Sequence, residues 1–391
     1  MSLLTYDSTR PWAKAMKANV LTGKMPPWFA DPHYGQFSNN RRLSKADIDT
    51  LVSWADTGAE AGDPKDAPAP KTFVEGWRIP KPDVVFQMPS AFDVPASGTI
   101  DYQYVVIPTG FTEDKWVQMA EARPGSPKLV HHIIAFIRDP GSKWLSEAKP
   151  GVPFVPREEK KEENKSGKKN KKDDGGGFGG DFLAGYAPGT VPNIMKPGEA
   201  KLIKAGSDIV LQLHYTANGT AGSDRSRVGI IFATSKPEQR VVTLASANEK
   251  FAIPPGDANY QVDSTMTLYR DATLISMLPH MHFRGKSFEY RAIYPDGRKE
   301  TLLVVPHYNF NWQLSYDLAK PKLLPKGTVI ECTAHYDNSV NNPFNPDATK
   351  EVKYGEQTWE EMMFGFFDVA VPPDMTVMDL VAPPKKETAR R

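Results

Sequence analysis

The chain of 391 residues has a single cysteine, Cys332, so no intrachain disulfide is possible. No apolar run reaches the roughly 18 residues that would mark a membrane-spanning helix. Charges nearly cancel, with 48 Lys and Arg against 47 Asp and Glu and a net charge of +1. No global field therefore favours nucleic acid or an anionic membrane surface. The opening Met1-Ser2-Leu3-Leu4-Thr5-Tyr6-Asp7 lacks the basic and apolar regions of a signal peptide. A disulfide-stapled scaffold, a membrane span and a nucleic-acid binder all lose support.

What the chain does have is 35 prolines and 29 glycines. These fit short strands joined by turns better than long helices. Hydrophobic residues at 40% and charged residues at 24% are ordinary for a globular protein, and the length allows two or three units. Residues 1–62 read as helical. One helix is expected to start near Asp7 or Ser8, and a second at Ser44, with Asp47 three residues on in a capping-box arrangement. Residues 63–74, rich in Pro and Ala, read as a linker.

Strand-like stretches then recur between Pro and Gly punctuation, among them 102–107, 116–120, 128–137, 208–215 and 228–233. A second series includes 241–245, 266–269, 272–281, 287–294, 300–305, 328–336 and 362–371. The expected organisation is an N-terminal β unit over 75–237 and a C-terminal β unit over 238–372. Residues 157–180, a lysine- and glutamate-rich run followed by glycines, read as a disordered surface insert. The tail 373–391 is expected to fray.

Five of the eight histidines lie in strand-like apolar segments. His280 and His282 are two apart, and in a strand such side chains share a face, so both imidazoles can grip one metal. His131 and His132 are adjacent and point to opposite faces in a regular strand. They can share a metal only at a twist or strand end. His214 sits in Val210-Leu211-Gln212-Leu213-His214-Tyr215. Each histidine alone reads more simply as a satisfied polar group. Together they give the ligand number that a metal needs, and imidazole with thioether suits copper. Met362 and Met363 are the thioether candidates among 13 methionines.

The ordered set of Lys128–Phe136 with its His-His pair, Ala184-Gly185-Tyr186-Ala187-Pro188-Gly189, Gln212-Leu213-His214-Tyr215, His280-Met281-His282 with Gly285, and Glu361-Met362 resembles the copper type II, ascorbate-dependent monooxygenases. This is the family of peptidylglycine α-hydroxylating monooxygenase and dopamine β-monooxygenase, and the resemblance spans roughly residues 75–372. It implies a mainly β fold: two antiparallel, jelly-roll-like β-sandwich domains, here with a small α-helical N-terminal segment. It implies two copper ions per chain facing each other across a cleft. His131, His132 and His214 match the electron-transfer site. His280, His282 and Met362 match the site where O2 and substrate react, with Met363 as rival for the thioether. Implied partners are O2, a small organic substrate, and ascorbate or another one-electron reductant. Gln212 matches a family glutamine near the first site.

The chain departs from that pattern. Cys332 matches a family cysteine whose partner position holds Met363, so a buried free thiol is expected. Leu278, Phe364 and Phe366 occupy the positions where the peptide-amidating enzyme anchors its substrate carboxylate, so peptide amidation is not expected. Arg284 reads as a surface salt bridge, or else as an anion contact. Tyr336, with His335 and Asn338, is a candidate for the cleft wall, while Asp337 and Asn338 read equally well as turn formers.

Met25-Pro26-Pro27-Trp28 resembles the distal half of a c-type cytochrome domain, in which Met25 would be the axial haem ligand of an intact relative. The Cys-x-x-Cys-His attachment motif is absent, so no haem c is expected in this chain. The resemblance also implies a periplasmic or extracytoplasmic place for intact relatives, and a chain that lacks its true beginning. A non-catalytic copper-binding or electron-transfer protein, and a sandwich with structural zinc, stand as the alternatives.

Overall fold

The structure is a computed structural model that describes residues 3–67, 69, 76–156, 180–187 and 190–383. The expected insert, apart from Gly180, lies outside the described residues, as does most of the linker from residue 68. The chain is mainly β, with several antiparallel sheets and a small helical N-terminal segment.

Two pairs of sheets enclose two separate apolar cores. In the first, the sheet of strands Gln103–Pro108, Asp208–Tyr215, Val130–Arg138 and Asp181–Tyr186, in that order, packs on strands Val84–Gln87, Arg227–Phe232, Lys115–Arg123 and Glu199–Ile203. Val105, Ile133 and Leu211 from one sheet meet Phe86, Val117 and Ile230 from the other. In the second, the sheet of Tyr260–Thr267, Val329–Tyr336, Gly285–Ile293 and Lys299–Val305 faces strands Gln239–Ala247, Phe364–Val371, Ala272–His280 and Tyr316–Leu324. Phe288, Tyr290 and Ile330 pack there against Leu244, Met277 and Phe367. The alternation of half-buried and buried residues along Val329–Tyr336 is the period of two of a strand with one face on the core.

One relationship was not legible in the strand pattern. Gln239 and Arg240 pair in parallel with Glu199 and Ala200, which fuses one sheet of each sandwich into a single nine-stranded sheet. Tyr316–Leu324 was also missed. Its Lys320-Pro321-Lys322 breaks the β pattern, and the strand is at the end of that sheet, where a proline is tolerated because its missing N–H faces no partner.

At the N-terminus, Ser44 and Asp47 form the expected capping box at the start of helix Lys45–Asp56. The first helix, Tyr6–Thr9, starts earlier than expected: Thr5 is its cap, and Ser8 is the reciprocal partner in the box. The chain between helices Ala13–Leu21 and Lys45–Asp56 lies on the C-terminal sandwich. Trp28 is buried in that core against Tyr316, with ring centroids 4.9 Å apart. Phe37 bridges to Leu318, and Asn39 Nδ2 donates to the Ser315 carbonyl at 2.9 Å.

The expected fraying of 373–391 is corrected for its first part. A capping box at Thr376 starts helix Val377–Val381, and Leu380 is buried in the C-terminal core. Residues 384–391 lie outside the described residues. Among the described residues no helix is long and apolar enough to cross a membrane.

Candidate metal centre

The adjacent histidines are brought to one side by a bulge. In strand Val130–Arg138, Val130 pairs with Tyr215 and His132 with His214, and the register shifts between them at His131. The extra residue turns the His131 side chain toward its neighbour. Nitrogens of His131, His132 and His214 all lie within 4.8 Å of one another. His131 Nδ1 is 3.3 Å from His132 Nδ1, a hydrogen-bond contact in which the tautomers decide the donor. Tyr102 packs on both His132 and His214.

The second pair sits where strand Ala272–His280 ends. A register shift between Leu274 and Ser276 switches the parity of the strand. Leu274 and Met277 then both face the core, while Ser276, Leu278 and His280 line a cavity. His280 and His282 have ring centroids 5.3 Å apart. Gln313 Oε1 is 2.6 Å from His280 Nδ1, which holds the ring and leaves Nε2 for another partner. Met362 lines the same cavity, whereas Met363 belongs to the core of the C-terminal sandwich.

Burial keeps these rings neutral. It holds His132 and His282 well below the ordinary imidazole value. Burial, helped by the neighbouring His131, brings His214 down to about 3. It brings His280 down to about 4 against the opposing Gln313 contact. A neutral imidazole is the form that binds a metal. His214 Nδ1 and His282 Nε2 are buried without any hydrogen-bond partner. A buried nitrogen left bare costs stability, and a metal ion is the partner that would relieve it. The three-histidine cluster thus fits a metal in donor type, protonation and unfilled valence, and the second pair offers two neutral imidazoles, one of them with a bare nitrogen.

Phe310 stands between the clusters. Its ring stacks on His131 with centroids 5.3 Å apart and meets His282 edge-on at 6.1 Å. The two sites share a cavity of about 560 Å³ that reaches His132, Gln212, His280 and Met362.

Other expected residues are placed as follows. Gln212 is buried, lines the cavity and donates to the Tyr104 hydroxyl, which in turn donates to Glu356 Oε2 at 3.1 Å. Leu278 and Phe366 are cross-strand partners in the cavity wall, and Phe364 stacks behind Phe366. Met25 is on the surface, 43% exposed.

Three expectations are corrected. Tyr336 is in the core rather than the cleft wall, and its hydroxyl donates to the Met362 carbonyl at 2.7 Å. His335 contacts Ser287 Oγ at 3.2 Å, and Asn338 is buried among Pro254, Lys350 and Arg284; neither lines the cavity. Arg284 is no surface residue. It is buried, with Nε donating to Asn338 Oδ1 and a guanidinium N–H to the Trp359 carbonyl, both at 2.9 Å.

Sequence reasoning gave Glu361 no role of its own. Its fully buried carboxylate accepts the backbone N–H of His282 at 2.8 Å and that of Arg284 at 2.6 Å. It therefore ties the His282 loop to the residue next to Met362. Burial, opposed by those hydrogen bonds and by Arg284, raises its carboxyl to about 8. Gln313 and Phe310 were missed because they come from the loop 306–315, whose sequence shows no periodic signal.

No family model matches the chain, and no curated protein matches it. Solved structures that align with it include viral proteins. Infectious bursal disease virus Gt strain is 13% identical over 81% of this chain and 77% of that one, with a TM-score of 0.18. The VP2 subviral particle of the same virus gives 11%, 78% and 74%, with a TM-score of 0.21. PBCV-1 VP54, fitted into a reconstruction of the virophage Sputnik, gives 10%, 76% and 96%, with a TM-score of 0.23. Likeness at that level carries no argument about function.

Proposed function

We propose that this chain is a copper-dependent monooxygenase that hydroxylates a C–H bond of a small organic substrate, as the resemblance to the copper type II, ascorbate-dependent monooxygenases implies. One observation carries the reading: two clusters of neutral imidazoles, one of three histidines and one of two, each with a bare buried nitrogen, reach a single cavity through His132 and His280, and Met362 lines that cavity too. Copper, when bound, would supply one-electron chemistry with O2, the electrons coming from ascorbate or another one-electron donor. Zinc fits less well, because a thioether is a poor ligand for it.

The chain's own residues have separable tasks. His131, His132 and His214 would hold one ion, and His280, His282 and Met362 the other. Gln313 fixes the His280 ring, Glu361 fixes the backbone of His282, and Tyr336 fixes the carbonyl of Met362. Leu278 and Phe366 give the cavity an apolar wall on the strands that carry and flank His280.

The test is to load the chain with Cu(II), count bound copper, and measure O2 uptake with ascorbate. Two ions per chain are expected, with His131→Ala and Met362→Ala each weakening a different one. One ion or none in the wild type would sink the reading. Two ions with no ascorbate-driven turnover of any substrate would leave an electron-transfer or copper-binding protein on the same scaffold.

A further inference from the structure

The N-terminal segment supplies a wall of the shared cavity. Between helices Ala13–Leu21 and Lys45–Asp56 the chain runs across the C-terminal sandwich. Ser38, Asn39 and Arg41 from this stretch line the cavity beside Ser315, Asp317 and Leu318.

The two sides of that contact are hydrogen-bonded to each other. The Ala319 N–H donates to the Gln36 carbonyl and the Ser38 N–H to the Asp317 carbonyl, both at 2.8 Å. Residues 36–38 therefore lie as a short antiparallel strap against strand Tyr316–Leu324, with Phe37 bridged to Leu318. Asn39 extends the contact through its side chain. Its Oδ1 accepts the Asp317 N–H at 3.1 Å, and its Nδ2 donates to the Ser315 carbonyl at 2.9 Å. Trp28, Phe37 and Tyr316 hold the strap with three edge-on ring contacts, at centroid distances of 4.9 to 6.0 Å. Upstream, the Asp31 N–H donates to the Val304 carbonyl at 2.7 Å. The segment is thus fastened to both sheets of the sandwich.

Covering a sheet edge is the plain alternative, because an unpaired end strand invites pairing with another chain. The placement of the strap argues for more than that. Among the described residues its pairing stops at Ala319. The strand goes on through Lys320-Pro321-Lys322, whose lysines and proline already blunt an edge. The part that the strap does cover is the part that lines the cavity, and the chain is still on the cavity at Arg41, past the paired residues.

We propose that residues 36–41 are a built-in wall of a ligand site, and that the cavity takes an apolar small molecule in contact with this strap. The volume of about 560 Å³ fits such a ligand. The surface that the cavity presents is mainly apolar, with Ile134, Phe136, Phe182, Leu244 and Phe367 in its lining. The stretch that follows Met25-Pro26-Pro27-Trp28 then has a task that needs no haem.

The probe is N-phenyl-1-naphthylamine, a neutral apolar dye that brightens on leaving water, added to the full metal-free chain. The dye is expected to bind. It should slow amide hydrogen exchange at Ser38 and Ala319, whose N–H groups hold the strap, severalfold more than at Gly256. The Gly256 N–H donates to the Ala348 carbonyl, and neither residue lines the cavity. Asn39→Ala removes both side-chain bonds to residues 315–317 and should weaken dye binding roughly threefold or more. Three results would each overturn the proposal: no dye binding by the wild type, exchange at Ser38 and Ala319 that the dye slows no more than at Gly256, or a folded Asn39→Ala chain that binds the dye as tightly as the wild type. The exchange measurement needs no variant, so it decides the matter even where Asn39→Ala does not fold. Neither measurement involves a metal, so failure here and failure of the copper reading are separate results.

Discussion

The Tyr336 hydroxyl donates to the carbonyl oxygen of Met362 at 2.7 Å. Both groups are buried, so the bond has no competing water, and it sets the backbone from which the Met362 thioether reaches the cavity. Tyr336→Phe removes the donor and leaves the carbonyl bare, a loss of about 1–3 kcal/mol. The expected outcome is a lower Tm together with weaker metal binding at the His280–His282–Met362 cluster only. Affinity at the His131–His132–His214 cluster is the internal control, and an equal loss at both would show that the tyrosine acts on the whole fold instead.

Met362 and Met363 separate by the same logic. Met363 is fully buried in the C-terminal core, so Met363→Ala should cost about 2–5 kcal/mol through lost packing and leave the metal's ligands unchanged. Met362→Ala should remove a sulfur neighbour from the X-ray absorption spectrum of the reduced copper-loaded chain. A sulfur signal that persists in Met362→Ala and disappears in Met363→Ala would exchange their roles.

The closeness of the histidines was partly readable from sequence, because a departure from regular strand geometry is a local device. Adjacent His131 and His132 demanded an irregular strand, and the register shift is there. What supports them was not readable. Gln313, Glu361 and Phe310 reach the clusters from residues far away in sequence, and no spacing rule points from His280 to Gln313 or from His282 to Glu361. Tyr336 was noticed for the wrong reason. Strand alternation puts Tyr336 with Ala334 and Cys332 on the core face, and that same alternation, applied to Ala334-His335-Tyr336, could have kept it out of the cleft. The fused nine-stranded sheet was hidden because a parallel pair of two residues leaves no pattern of its own.

Asp317 gives a pH prediction. Burial, together with the nearby Asp368, raises its carboxyl above the ordinary 3.8, against the Ser315 hydrogen bond. A folded-state value above the unfolded one means that the fold prefers the protonated acid. That contribution to stability is complete below about 3.9 and is lost as pH rises through the folded value. Asp317→Asn keeps an acceptor for Ser315 without the charge. Thermal unfolding should find the variant more stable than wild type near neutral pH, with the gain shrinking as pH falls toward 3. A gain that is independent of pH would rule out titration of Asp317 as its source.

Cys332 and Gly365 make the last test, because each explains the other. The thiol is free and fully buried, and burial pushes it up and out of the reactive range. A thiol reagent should therefore label it only after unfolding. Gly365 lies across the core from it, and a methyl group added at Gly365 would overlap Cys332 Sγ and come within 3.0 Å of Tyr290. Gly365→Ala should thus destabilise through overpacking by about 1–3 kcal/mol. Cys332→Ala removes the sulfur that the new methyl would strike, at the cost of a small cavity. In the double variant the methyl occupies part of that cavity, so the two losses should sum to more than the double variant shows. Simple additivity would mean that the clash lies with Tyr290, and the pairing of Cys332 with Gly365 would then have no energetic content.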